Sequence, residues 1–398
     1  MLATSVSVNE LLDLVFRWAH LIAGIMWIGN SMLFNWLDRN LIQRPDQGRL
    51  SQGTIYMVHS GAFYEVEKKL LAPGELPAQL HWFKWQNFTT WATGISLLVV
   101  TYYMRDAGYL RDPSVCDLTA AQAIAISVGS LVVGWAIYDA LWRVLEDRPG
   151  AATVLSFALL AGASWGFTEV FSGRGAYIMT GALMGTLMTG NVWMRILPSQ
   201  RSLIAATKQG EEQDALLSKR AKQRSIHNNY MTFPVLFIML SNHFGTLHQN
   251  GMRWALLALV MVGGALIRHF MNVRYAGKWW LAPAILTGTI TLGAVAGLAY
   301  VGKPYIPEVT HEVPYSRAQT IITTRCVPCH SANNTEPMYP VAPKGVMLDT
   351  TDRIKAMADQ IYHFSVATET MPFINRTNMT KEERAELGKW YSDGAKVQ

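Results

Sequence analysis

Apolar stretches long enough to cross a lipid bilayer recur through residues 1–303, and that recurrence constrains the fold more than any other feature of the chain. A hydrocarbon core of about 30 Å takes about 20 helical residues. Eight such stretches lie at 12–34, 86–104, 122–142, 152–171, 176–197, 230–247, 254–275 and 279–300. Only 16% of the sequence is charged, so these runs suit lipid better than water. Gly181-Ala182-Leu183-Met184-Gly185 and Gly263-Gly264-Ala265 supply small residues for close helix packing. Trp82, Trp85, Trp193, Trp279 and Trp280 fall near the ends of runs, as in an interfacial belt. The expected fold class is all-α: a polytopic membrane bundle of about eight spans over residues 1–303, in contact with membrane lipid, and a separate small unit over 304–398.

Charge in the connections sets an orientation. The connections after the first, third, fifth and seventh runs hold fifteen Lys and Arg. The N-terminal tail and the connections after the second, fourth and sixth hold four. Positive-inside bias then puts the N-terminus and the C-terminal unit outside the cytoplasm, on the periplasmic side of a bacterial inner membrane. The first run lacks a basic n-region and a small-residue cleavage site, so it is expected to remain as a span. The net charge of +6 is spread over loops rather than gathered on one soluble face, which argues against nucleic acid as a partner.

Cys326-Val327-Pro328-Cys329-His330 has the form of a c-type haem attachment site. Two thiols at this spacing reach the vinyl groups of one porphyrin edge, and the adjoining imidazole reaches the iron. The chain has only three cysteines, and two fall inside the motif. A zinc site would need further Cys or His ligands nearby, and none follows. Cys326 and Cys329 are therefore the expected covalent attachment points and His330 the first axial ligand. Met371, in Thr370-Met371-Pro372-Phe373, is the expected second axial ligand, with Met347 in reserve. Thr380-Lys381-Glu382-Glu383 has the capping-box form, with Leu387, Trp390 and Tyr391 on an apolar face beyond it. This order matches a small class I cytochrome c domain.

Two further patterns bear on chemistry. The segment 35–85 mixes Glu65, Lys68 and Lys69 with Leu80-His81-Trp82-Phe83-Lys84-Trp85. It suits either a pocket for a flat, hydrogen-bonding anion or an amphipathic interfacial helix. The segment 198–229, with Lys219, Arg220, Lys222 and Arg224, reads as a solvated helix. His20 and His243 fall at matching depth on opposed runs. They could flank a b-type haem between helices, or each could be a hydrogen-bonded interior histidine.

The stretches Arg17 to Asn30, Leu80 to Trp85, Asn191-Val192-Trp193 and His227-Asn228-Asn229-Tyr230-Met231, together with the C-x-x-C-H unit, resemble the membrane-integral urate oxidase (urate hydroxylase) family. Its transmembrane domain is fused to a C-terminal cytochrome c. The resemblance implies oxidation of urate to 5-hydroxyisourate, with electrons leaving through haem c to a downstream cytochrome c or terminal oxidase rather than to dioxygen. Urate is a planar monoanion, so the residue types needed are aromatics, a cation and a base near neutral pH. On that ground His81, Lys84, Glu65 and His227 are the expected catalytic set, in a pocket on the cytoplasmic side that would need a haem relay, with a pocket on the outer side, needing none, as the open alternative. The competing readings are a quinol- or other donor-to-cytochrome c electron-transfer protein without a urate site, and a transporter with an appended cytochrome.

Overall fold

A computed structural model describes residues 8–397 except 49, 73–74, 105, 213, 275–278, 304, 337–338 and 340. Helix dominates. The bundle comprises α1 (Val8–Asn40), α2 (Trp85–Leu97), α3 (Ala120–Val144), α4 (Pro149–Val170), α5 (Gly173–Asn191), α6 (Leu197–Gln209), α7 (Ala215–Ser241), α8 (Gly245–His248), α9 (Arg253–Val273) and α10 (Leu281–Val301). Wider π-helical turns extend α2 to Tyr103 and join α5 to α6. Among the described residues five helices, α1, α3, α4, α9 and α10, are long and apolar enough to cross a membrane. Each of the eight predicted runs corresponds to a helix. The three that fall short, α2, α5 and α7, are interrupted by a π turn or carry polar residues in their first turns.

Local chemistry sets the helix starts. Thr119 and Gln122 form a capping box at α3, Ser172 caps α5 through the Gly175 N–H, and Asp214 caps α7 through Leu216 and Leu217. α5 lies at the centre, packed by α3, α4 and α7, while α9 lies between α7 and α10. Met179, Met184 and Leu187 of α5 share one apolar core with Leu160, Ile238 and Leu257. The small residues singled out from the sequence sit at these contacts. A Cβ on Gly181 would stand 2.7 Å from Ile238 of α7, and one on Gly263 would stand 2.4 Å from Thr291 of α10.

The all-α expectation needs one correction. Within segment 35–85 the chain forms an antiparallel hairpin, β1 (Ser51–His59) with β2 (Ala62–Lys69), pairing Tyr56 with Glu65 and His59 with Ala62. Ser60 and Gly61 both take positive φ, 52° and 78°, as a tight two-residue hairpin turn requires. Among the described residues between Asn40 and Trp85 no helix forms, so the interfacial-helix reading is corrected.

Residues 305–397 carry a second apolar core, built by α11 (Tyr315–Arg325), α12 (Thr351–Ala356), α13 (Ala358–Tyr362) and α14 (Lys381–Ser392). Ile321, Ile322, Leu387 and Trp390 are its most buried members. The capping box expected at Thr380 and Glu383 is present, and it opens α14.

Candidate functional site

The C-x-x-C-H motif forms the turn that ends α11. Cys326 N–H donates to the Ile322 carbonyl, and the N–H groups of Cys329 and His330 both donate to the Cys326 carbonyl, at 3.1 and 2.9 Å. Cys326 is buried and Cys329 half-buried, and neither is in a disulfide. Burial pushes the Cys326 thiol up to about 12 and raises that of Cys329, so both are held as thiols rather than thiolates. His330 Nδ1 lies 3.1 Å from the Val346 carbonyl oxygen. That contact requires the proton on Nδ1, so Nε2 presents its lone pair. The half-buried Met371 is anchored by its backbone. Its N–H donates to Phe364 O at 2.9 Å, and its carbonyl accepts from Arg384 at 2.7 Å. Arg384, itself buried, also donates to Ser365 O. Two unpaired thiols, an imidazole with one free nitrogen and a tethered methionine form a donor set that fits a covalently attached haem.

The loop after Met371 rests on the bundle. The Phe373 ring packs on Tyr109 at 4.8 Å, edge to face, and Tyr339 Oη lies 3.3 Å from Tyr109 Oη. Arg174, at the start of α5, lies over the rings of Tyr109 and Phe373 at 5.3 and 5.9 Å. Its Nε donates to Tyr102 Oη at 3.1 Å and to Asn242 Oδ1 at 3.0 Å.

At the other end of α5, about 30 Å along the helix, lies a charged network. Asp139 accepts from Arg143, Arg195 and Arg224. Arg224 donates on to Asn191 Oδ1 at 3.2 Å, and Asn191 donates to Tyr138 Oη at 2.8 Å and to Asn228 at 2.7 Å. Tyr138, accepting from Asn191, also lies 2.9 Å from His227 Nδ1 through its Oη. The Nε2 of His227 is buried without a partner among the described residues. A cavity of about 220 Å³ opens beside this network, lined by Trp142, Arg143, Arg195, Arg220 and Arg224. The expectation that 198–229 is merely a solvated face is corrected here, because Arg224 is 5% exposed. A neighbouring polar layer joins Arg268 Nε and Asn272 Nδ2 to Asn229 Oδ1, and Asn35 to Asn272 at 2.7 Å.

The four residues grouped on sequence as a catalytic set do not meet. His227 is wholly enclosed by Tyr138, Trp142 and Phe157. His81 is exposed, and Lys84 lies over Trp82 and Trp85 at 5.1 and 5.4 Å. Glu65 sits on the hairpin, accepting from Tyr56 Oη at 2.6 Å. Nor does any described contact join His20 to His243. His20 Nδ1 is 2.9 Å from Thr90 O on α2, whereas His243 is exposed in the turn after α7. The sequence reading missed Asp139, Arg174 and Arg268. For Asp139 and Arg268 the available signal was a charged residue inside an apolar run, which is costly and so marks a packed interior position, whereas Arg174 lies between two runs and carried no such mark.

A family model described as urate oxidase N-terminal matches residues 6–298 of the chain, the helical bundle to within a turn of its last helix's end. No curated protein and no solved structure matches it.

Proposed function

The chain belongs to the urate oxidase N-terminal family, and from that premise we propose that it oxidises urate at a bacterial cell membrane and passes the electrons to a c-type haem on residues 304–398. One urate monoanion and one water give 5-hydroxyisourate, one proton and two electrons. The reaction so written needs a seat for a planar anion, a proton acceptor and an electron acceptor, and no dioxygen. A haem held by Cys326, Cys329, His330 and Met371 would supply a one-electron acceptor, used twice per turnover on behalf of a downstream cytochrome c or terminal oxidase. The chain's own part is to hold that group in place. Val346 fixes the His330 ring and tautomer, and Arg384 fixes the backbone at Met371.

The observation that carries this reading is the contact of the Met371 loop with the family-matched bundle, Phe373 on Tyr109 at 4.8 Å. Electrons leaving the bundle there have no membrane to cross, so the reading needs no b-type haem between His20 and His243. Tyr109 and Arg174, which the C-terminal unit touches, both belong to the sparsely basic connections, and Gly245, which it also touches, lies at the end of the sixth run beside another. That supports a periplasmic position for this end.

The test is to add urate anaerobically to membranes containing the protein and to follow haem absorption. The expected result is reduction of a c-type haem with loss of urate, abolished in the Cys326→Ser, Cys329→Ser double variant. Urate consumption at an unchanged rate in that variant would overturn the reading.

A further inference from the structure

Where the C-terminal unit meets the bundle, positive charge collects without an acidic partner. Among the described residues Arg174 forms no ion pair. It is hydrogen-bonded to a phenol and an amide, and three aromatic rings surround it, including Tyr102 at 6.0 Å. Arg253 forms no ion pair either, and donates at 2.7 Å to the Thr168 carbonyl. Within electrostatic reach of both lies His248, 6% exposed, whose Nδ1 has no hydrogen-bond partner among the described residues. Its own backbone carbonyl packs against Gly173, where a Cβ would stand 1.8 Å from the oxygen, so the imidazole is held beside the first turn of α5.

Arg174 and Arg253 are half-buried, and two guanidinium groups without a carboxylate beside a buried imidazole make this a favourable place for an anion. The far end of the bundle shows the alternative, with Asp139 serving three arginines. Arg268 also lacks a carboxylate among the described residues. It lies about 20 Å further along α9 than Arg253, away from the Met371 loop.

Resting on the function proposed above, we infer that Arg174, roofed by Tyr109 and Phe373, forms the urate site together with Arg253 and His248. Arg174 pairs with the purine anion, and the rings of Tyr102, Tyr109 and Phe373 offer faces to its plane. His248 Nδ1 accepts the proton of the water that adds at C5, while the two electrons leave one at a time toward the Met371 loop. Bond formed, proton released and electrons removed together account for 5-hydroxyisourate.

Two measurements on the purified, haem-loaded full chain test this. The first is direct binding of xanthine in its anionic form, a planar purine used here as the probe, by calorimetry. The second is anaerobic haem reduction by urate, with ascorbate reduction as a check that the haem is intact. Arg174→Gln is expected to weaken xanthine binding and raise KM for urate about ten- to a hundredfold, leaving ascorbate reduction unchanged. Arg174→Lys, which keeps the charge but loses the fork, should fall between. His248→Gln is expected to lower kcat with little change in xanthine affinity, and to remove the acidic limb of the pH–rate profile. Arg220→Ala, beside the distant cavity, should leave both readouts as in the wild type. Wild-type xanthine affinity and KM in Arg174→Gln, or their loss in Arg220→Ala instead, would overturn the site. Failure of urate to reduce haem in the wild-type protein strikes the proposed function, whereas the xanthine measurement decides the anion site by itself.

Discussion

Gly245 and Thr370 approach so closely that a Cβ on the glycine would stand 2.2 Å from the threonine Cγ2. The bundle and the loop that leads into Met371 therefore meet without room for a methyl group. A valine at 245 must push them apart. Gly245→Val is expected to expose the connection around residues 305–312 and speed its cleavage in limited proteolysis several-fold. Gly185→Ala, at a position with nothing within 4 Å, should cleave like the wild type. Equal cleavage of the two variants would show that this contact does not hold the units together.

The thiols give a chemical count. If Cys326 and Cys329 carry thioethers, protein made in a haem-attaching host should show one titratable thiol after denaturation, Cys116. Protein made without haem attachment should show all three. Three thiols in both preparations would rule out covalent attachment.

Asp139 is the shared counter-ion of three guanidinium groups, and both it and Arg224 are buried. Asp139→Asn is expected to destabilise the bundle by about 3 kcal/mol, because it leaves a buried charge uncompensated. Arg143→Ala removes a partner whose side chain is 67% exposed, and should cost less than about 1 kcal/mol. Thermal unfolding in detergent checks the order. A milder loss for Asp139→Asn than for Arg143→Ala would contradict it.

In the C-terminal unit, Glu383 pairs with Arg325 at 2.9 Å and accepts from the Thr380 N–H at 2.9 Å. Burial alone would raise its carboxyl, but the Arg325 and Thr380 contacts outweigh it and hold the group below the ordinary glutamate value. A depressed carboxyl contributes stability above its unfolded pKa and loses it as pH falls through the folded one. Resistance of this unit to proteolysis should therefore decline from about pH 4 downward. Glu383→Gln should be less resistant at neutral pH and show a flatter acid limb. An acid limb unchanged in the variant would mean that other carboxylates govern it.

Much of the architecture is legible in the amino-acid order, for local reasons. Apolar length marks the helices. Thr119 with Gln122, and Thr380 with Glu383, mark where two of them start, because a capping box is satisfied within four residues. The hairpin was legible too, in Ser60-Gly61 between two runs of β-branched and aromatic residues, but the surrounding mixture of charges and tryptophans hid its two-residue period.

Sequence by itself determined the helical bundle, the C-x-x-C-H turn and the uneven charge of the connections, since each depends on neighbours in the chain or on summed charge. Only the tertiary structure decided which polar side chains work together. It set Arg174 beside Phe373 and His227 behind Tyr138, and it left Glu65 and His20 with separate partners and His81 exposed. The reason is geometric. A buried charge takes its partner from whichever helix happens to pack against it, and that choice is made by the packing of apolar surfaces far along the chain.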